Sequence, residues 1–290
     1  MKIMTWNVNR FNGNSRSEIW DDAKIRYSNS ILKYIEQEIT GKDDVAIIQE
    51  FSPKVQIVDD FKEKFTVLSW YEQDDKFGDT NNRNNRFKSR TVALVKKESS
   101  NWDLVQFKDS INFGQNDAGK YNYVNKYVQL INMSKEIKLL GIHMPTRNTG
   151  KKDEDKGMED LNDAIKNAIE NKNNIPNIIV GDFNAGNYQK EKESKDFTKN
   201  KEKYIETMKD YNYEDIIDET TTNNQQRTTN YQQPTFIDHF WTEIETENSF
   251  LRKCNITPKV IYKKELSDHY PIVVELKKRK KVQVTVKRDS

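Results

Sequence analysis

Residues 179–186 read Ile-Val-Gly-Asp-Phe-Asn-Ala-Gly, and residues 266–276 read Leu-Ser-Asp-His-Tyr-Pro-Ile-Val-Val-Glu-Leu. Both set a short β-branched run beside an acid. In the first, the run leads into Asp182 and Asn184; in the second, Asp268 and His269 stand just before the run. Side chains inside a strand alternate between two faces. A side chain at a strand end is instead presented rigidly at the rim of a sheet.

The same arrangement recurs along the chain. Asn7 and Asn9 follow Ile-Met-Thr-Trp, Glu50 follows Val-Ala-Ile-Ile-Gln, and His143 ends Leu-Leu-Gly-Ile-His. Asp238 lies within Phe-Ile-Asp-His-Phe-Trp. Short runs rich in Val, Ile and aromatics predict strands at 3–8, 45–48, 91–95, 127–133, 137–142, 178–180, 235–241, 259–262 and 272–276. Ser134-Lys135-Glu136 predicts a hairpin loop between two of them. Helical spacing joins Trp20, Ala23, Tyr27, Ile31, Ile35 and Ile39, with Ser15 and Glu18 as a capping box and Gly41 as the stop. Leu161, Ala164, Ile165, Ala168 and Ile169 form a second helical stripe. Both stripes are read as core-facing surfaces without a chemical role. Residues 73–90 form a long polar loop, and 186–203 a charged, partly helical connection.

Composition narrows the chemistry. Apolar residues are 34% and charged residues 32%, yet net charge is only +2 and aromatics reach 11%, which is not the composition of a disordered chain. One cysteine excludes an internal disulfide framework and any multi-thiolate zinc site. Three histidines leave little room for a His-rich metal site. No apolar run approaches the ~18 residues of a membrane span, and Met1-Lys2 opens onto a strand-like run unlike a secretory signal. A cytoplasmic protein without membrane association is expected. Residues 1–276 read as one domain, and 277–290, opening with the basic run Lys277–Lys281, as a tail or edge strand.

Carboxylate and amide oxygens suit hard cations such as Mg²⁺ or Mn²⁺. A cation of that kind polarises a phosphoryl oxygen. An Asp can orient and deprotonate water, and a His backed by a carboxylate can serve the phosphate or the leaving oxygen. A lone Asp or Asn after a strand is more often a turn former than a ligand. The reading therefore rests on the ordered series.

That series resembles the endonuclease/exonuclease/phosphatase superfamily, which includes deoxyribonuclease I and exonuclease III. It is carried by TWNVNR (5–10), IIQE (47–50), GIHMP (141–145), IVGDFNAG (179–186), FIDHFW (236–241) and LSDHYPIVVEL (266–276). The resemblance implies an α/β (α+β) fold. This is a four-layer αββα sandwich, with two mixed β-sheets packed face to face and flanked by helices. It implies Asn7, Glu50 and Asp268 as metal-side residues for Mg²⁺ or Mn²⁺. Asp182 would activate water and Asn184 would contact the phosphate or metal. His269 would touch phosphate with its tautomer fixed by Asp238. His143 resembles the second catalytic histidine of the deoxyribonuclease I and sphingomyelinase branches. Asn9 and Arg90 would contact substrate phosphate.

The departures carry information too. Where deoxyribonuclease I pairs its second histidine with a Glu, this chain has Ser89, so His143 needs another partner or has a weaker role. His239 and Ala185-Gly186 replace residues of the inositol polyphosphate phosphatase pattern, which argues against inositide recognition. Strand alternation makes His239 structural. The expected function is a divalent-metal-dependent phosphodiesterase, an endo- or exonuclease cleaving DNA. The alternative is a phosphatase or phosphodiesterase of a small phosphorylated metabolite, cyclic nucleotide or lipid headgroup. Arg83, Arg86, Lys88 and Arg90, with Lys277–Lys281, offer contacts to a nucleic-acid backbone.

Overall fold

In the computed structural model the chain is described over residues 1–15, 19–52, 54–69, 89–98, 100–106, 124–143, 163, 166, 175–183, 195–217, 238–243, 250–261, 263 and 265–279. Outside these lie Asn184, most of the 73–90 loop, the hydrophobic members of the 161–169 stripe and the basic tail from residue 280. The two described residues of that stripe's segment, Asp163 and Lys166, are helical.

Among the described residues twelve strands form two six-stranded sheets. Sheet one contains β1 (Lys2–Asn7), β2 (Val45–Phe51), β3 (Phe65–Leu68), β4 (Arg90–Lys96), β11 (Cys254–Val260) and β12 (Ile272–Lys278), in the order β11-β12-β1-β2-β4-β3. Sheet two contains β5 (Trp102–Leu104), β6 (Tyr127–Asn132), β7 (Ile137–His143), β8 (Ile178–Asp182), β9 (Tyr213–Asp215) and β10 (Asp238–Glu243), in the order β5-β6-β7-β8-β10-β9. Each sheet holds one parallel pair at its centre, β1 with β2 and β7 with β8, and every other pairing is antiparallel.

Alternation along β1 and β2 explains the layering. Ile3, Val45 and Ile47 point toward sheet two and pack with Val128, Leu130, Leu139, Ile178, Val180 and Phe240. Met4, Trp6, Ala46 and Ile48 point the other way, onto α1 (Asp21–Glu38) and α2 (Val55–Lys64), through Ile31, Leu32, Ile35, Ile57 and Phe61. Both faces of the central strands are therefore apolar, and removing one such side chain costs about 2–5 kcal/mol. The sheets approach closely at Gly141, where a Cβ would lie 2.4 Å from Ile47 Cγ2. On the outer face of sheet two, α3 (Lys195–Asp210) brings Tyr204 against Phe183 and Trp241, with centroids 5.3 and 6.3 Å away. The order helix, sheet, sheet, helix is the αββα sandwich expected.

Several boundaries differ from the sequence reading. Helix α1 begins at Asp21 with Trp20 as N-cap and no side-chain cap, so the Ser15 box does not form, and Trp20 is 88% exposed rather than core. The sequence reading left out α2, β3, β5 and β9. The β11 strand begins at Cys254, earlier than the apolar run at 259–262. The 195–210 helix matches the partly helical connection, and the β6–β7 turn falls on the predicted loop. Among the described residues no helix is long and apolar enough to cross a membrane.

Candidate active site

The topology gathers the predicted residues at one rim. Asn7 ends β1, and Glu50 sits next to the end of β2. His143 ends β7 and Asp182 ends β8, cross-strand partners in their parallel pair. Asp238 opens antiparallel β10 opposite Asp182. Asp268 and His269 lie just before β12, which runs antiparallel to β1. Parallel strand ends and antiparallel strand starts thus meet at one edge of both sheets.

Asp182 is the hub. It is 1% exposed, and its Oδ2 accepts a hydrogen bond from Asn7 Nδ2 at 2.9 Å, across the gap between the sheets. The same oxygen lies 3.8 Å from His143 Nε2 and 3.8 Å from His269 Nε2. Gly181 makes this approach possible. Its φ is +142°, and a Cβ there would fall 1.9 Å from the Ile142 carbonyl oxygen.

His269 is 4% exposed, and its Nδ1 meets Asp238 Oδ2 at 2.9 Å. With that bond donated by the ring N–H, Nε2 is left facing Asp182. Burial pulls the imidazolium down, but Asp238, Asp182 and Asp268 outweigh it and hold His269 well above the usual histidine range. Its backbone is pinned on both sides. The carbonyl accepts from Trp6 Nε1 at 3.0 Å, and the N–H donates to Ser267 Oγ at 3.2 Å. Ser267 in turn donates to the Asn7 carbonyl at 2.8 Å. Trp6 and Ser267 lie inside quoted motifs, but their types give no catalytic signal.

Glu50 stands at φ 53°, where the β2–β4 register is broken by a bulge between Ile48 and Phe51. Left-handed backbone at a non-glycine residue costs about 1–3 kcal/mol and concentrates at functional sites. Glu50 Oε2 is 3.3 Å from Arg10 Nε, and Oε1 is 3.6 Å from His143 Nε2. Arg10 itself lies in a run of three left-handed residues, Asn9, Arg10 and Phe11. That turn is closed by Asn9, whose Nδ2 donates to the carbonyls of Gly13 and Ser15 at 3.1 and 2.9 Å. The Asn9 backbone N–H donates to Asn7 Oδ1 at 2.9 Å. Its amide hydrogens therefore hold the loop that carries Arg10.

His143 has the partner that the sequence left open, and it is a cation. Its Nδ1 lies 3.1 Å from Lys126 Nζ. Burial lowers its pKa well below the usual value, with Lys126, His269 and Arg10 acting in the same direction. Lys126 closes a short helical turn at 124–126, where Asn125 Nδ2 donates to the Ser89 carbonyl at 3.0 Å. The segment where deoxyribonuclease I carries its Glu thus anchors a lysine here. Nothing in the sequence singled out Lys126. Arg90 opens β4 beside the Glu50 bulge, paired across the ladder with Phe51.

His239 is apart from this group. Its Nδ1 meets Asp215 Oδ2 at 2.5 Å, and its ring packs between Phe183 and Trp241 on the outer face of sheet two. It braces β9 against β10, the structural role that alternation predicts.

Asp182, Asp238 and His269 offer ligand atoms within 4.8 Å of one another. Two of those three are hydrogen-bonded to each other, so that trio reads first as a proton-handling unit. Beside that trio, Asn7, Glu50 and Asp268 bring oxygen donors to the same rim, Asn7 through its bond to Asp182, Glu50 with Oε1 3.6 Å from His143 Nε2, and Asp268 with Oδ1 3.4 Å from Ser267 Oγ. This set suits an oxygen-loving divalent cation.

The family described as endonuclease-reverse transcriptase matches residues 141–273, which include His143, Asp182, Asp238, Asp268 and His269. No curated protein matches the chain. Among solved structures, an AP endonuclease from Archaeoglobus fulgidus is 15% identical, with 95% of this chain and 99% of that one covered and a TM-score of 0.60. TDP2 from Caenorhabditis elegans is 13% identical over 95% of this chain and 73% of that one, with a TM-score of 0.53. The catalytic domain of human Nocturnin is 15% identical over 96% and 94%, with a TM-score of 0.52. At these identities the likeness establishes the shared fold.

Proposed function

We propose that this chain is a member of the endonuclease/exonuclease/phosphatase superfamily and a divalent-metal-dependent phosphodiester hydrolase acting on nucleic acid, with DNA as the substrate, a reading supported by the family match over residues 141–273. The observation that carries this reading is the convergence on Asp182 Oδ2 of Asn7, His143 and His269, one residue from sheet one, one from sheet two and one from the connection into β12.

Glu50, Asn7 and Asp268 would hold Mg²⁺ or Mn²⁺, whose chemistry is to polarise the phosphoryl oxygen and offset its growing charge. Asp182, bonded by the Asn7 amide and 3.8 Å from His269 Nε2, accepts a hydrogen bond from water and takes its proton as the oxygen attacks phosphorus, while the opposite P–O bond breaks and the leaving oxygen takes a proton from solvent. His269, held by Asp238, points its Nε2–H into the same space and steadies a phosphate oxygen. Asn184 and Arg90 are assigned to further phosphate contacts.

Nucleic acid is favoured by the basic residues Arg83, Arg86, Lys88 and Arg90, and by the AP endonuclease named among the structural neighbours. The test runs DNA degradation and phosphate release side by side with Mg²⁺ and Mn²⁺. Neutralising Arg83, Arg86 and Lys88, and leaving Arg90 in place, should raise KM on DNA. It should also flatten the logarithmic slope of the salt dependence by roughly one unit for each phosphate no longer held. Turnover of a minimal phosphodiester should hardly change. Unaltered DNA cleavage, with a small phosphoester hydrolysed far better than any nucleic acid, would replace the nuclease with a small-molecule phosphatase.

A further inference from the structure

The His143 ring has different chemistry at its two nitrogens. At Nδ1 stands the Lys126 ammonium, 3.1 Å away. An ammonium has three donors and no acceptor, so the bond forms only if Nδ1 presents its lone pair. At Nε2 stand two carboxylate oxygens, Glu50 Oε1 at 3.6 Å and Asp182 Oδ2 at 3.8 Å. They accept and never donate when ionised, so a lone pair at Nε2 would face two anions. Both ends of the ring call for the same arrangement. Among the described residues Nε2 has no hydrogen-bond partner, although His143 is only 4% exposed. A buried donor of this kind costs about 1–3 kcal/mol if left unmade.

We propose that Lys126 is a positioning residue that fixes the His143 proton on Nε2, so that His143 donates a hydrogen bond to a phosphoryl oxygen of the substrate seated beside Asp182 and Glu50. The role given to His143 rests on the phosphodiester-hydrolase reading; the position of the ring proton does not. Two consequences follow. His143 has no lone pair to offer a metal ion, and it takes no proton from the attacking water. It also differs from a histidine backed by Glu, whose Nδ1 carries the proton. Asn125, through its bond to the Ser89 carbonyl, keeps the Lys126 turn in place.

The test is made on the full chain with ¹⁵N-labelled histidine. The chain has three histidines, so long-range ¹H–¹⁵N spectra resolve each ring, and His143→Gln assigns the signal. Wild type should show His143 protonated at Nε2 and bare at Nδ1, with and without Mg²⁺. Lys126→Arg should keep that pattern, Lys126→Met should give a mixture of tautomers, and Lys126→Glu should move the proton to Nδ1. On bis(4-nitrophenyl) phosphate, Lys126→Met should lower kcat on the order of 10- to 100-fold with KM nearly unchanged, as for loss of one aimed donor. Lys126→Arg should restore most of it, and Lys126→Met should add nothing to His143→Gln. A wild-type ring with its proton on Nδ1, or an unchanged tautomer in Lys126→Met, overturns the proposal. A wild-type chain that cleaves no phosphodiester with any cation would instead sink the hydrolase reading, and the spectrum would still report the ring.

Discussion

His143 and His269 reach the same oxygen, Asp182 Oδ2, each through Nε2 and each at 3.8 Å, yet their surroundings shift their protonation in opposite directions. Burial disfavours the imidazolium in both. At His143 the nearest charge is Lys126, which adds to the penalty; at His269 it is Asp238, which with Asp182 and Asp268 reverses it. One carboxylate is thus served by a fixed cation and by a neutral ring.

The His269–Asp238 pair should behave as one unit. His269→Ala and Asp238→Asn should each lower kcat on the order of 10²- to 10⁴-fold. The double variant should lose little more, because residues acting together are non-additive. Steady-state rates of the four forms decide it; losses that multiply would show two independent contributions. His239→Ala should instead lower the unfolding midpoint and leave kcat nearly intact, since its contacts are with Asp215, Phe183 and Trp241.

Activity should vanish in excess chelator and return with Mg²⁺ or Mn²⁺. Glu50→Gln keeps the shape of the side chain but removes its negative charge, and should weaken Mn²⁺ binding on the order of 100-fold or more in a calorimetric titration. Full cleavage in chelator would contradict the oxygen-donor reading of Glu50, Asn7 and Asp268.

Gly181→Ala should destabilise by at least about 3 kcal/mol, combining a strained φ with overlap onto the Ile142 carbonyl. Asp182→Asn, one residue on, should leave the fold intact and abolish turnover. Urea midpoints and rates for the pair separate the two effects; a Gly181→Ala protein as stable as wild type would show that β8 can shift away from β7.

Asp43 predicts a particular acid sensitivity. It precedes β2 in sheet one, and its carboxylate accepts from Asn101 at 2.6 Å and Ser134 at 3.2 Å, both attached to sheet two. Burial pushes its pKa up, but the Asn101 and Asn132 amides and Lys135 outweigh this and hold it below the usual value. A depressed folded pKa means the stability it contributes is fully present above about pH 4 and is lost as pH falls through the lower folded value. Asp43→Ala should cost about 1–3 kcal/mol at pH 7. The gap from wild type should close in strong acid, measured as chemical denaturation against pH.

The sheet centres and the rim that gathers the candidate residues are legible because long β-branched runs and the acids beside them are local signals. Asp182 follows its own strand, and Asp268-His269 precede theirs. What was missed depends on distance in space. Strands as short as Trp102–Leu104 and Tyr213–Asp215 show barely one alternation. The polar half of β11 is set by pairing with β12, not by its own pattern. Ser15 looked like a cap, but its carbonyl is taken by Asn9 and the helix starts later. Lys126 meets His143 only because β6 and β7 run side by side.

The pairing of β1 with β12 also sets a schedule. The amide of Leu276 donates to the carbonyl of Met1 at 2.8 Å, so the opening strand is flanked on one side by the 272–278 segment. Until that segment is synthesised, β1 shows an open edge, and Asp268 and His269 are not in place beside Asn7. Contacts of such long sequence separation form slowly. A growing chain halted before residue 266 would carry Glu50 and Asp182 yet be catalytically silent. The proposed hydrolysis would therefore switch on only once β12 has paired with β1.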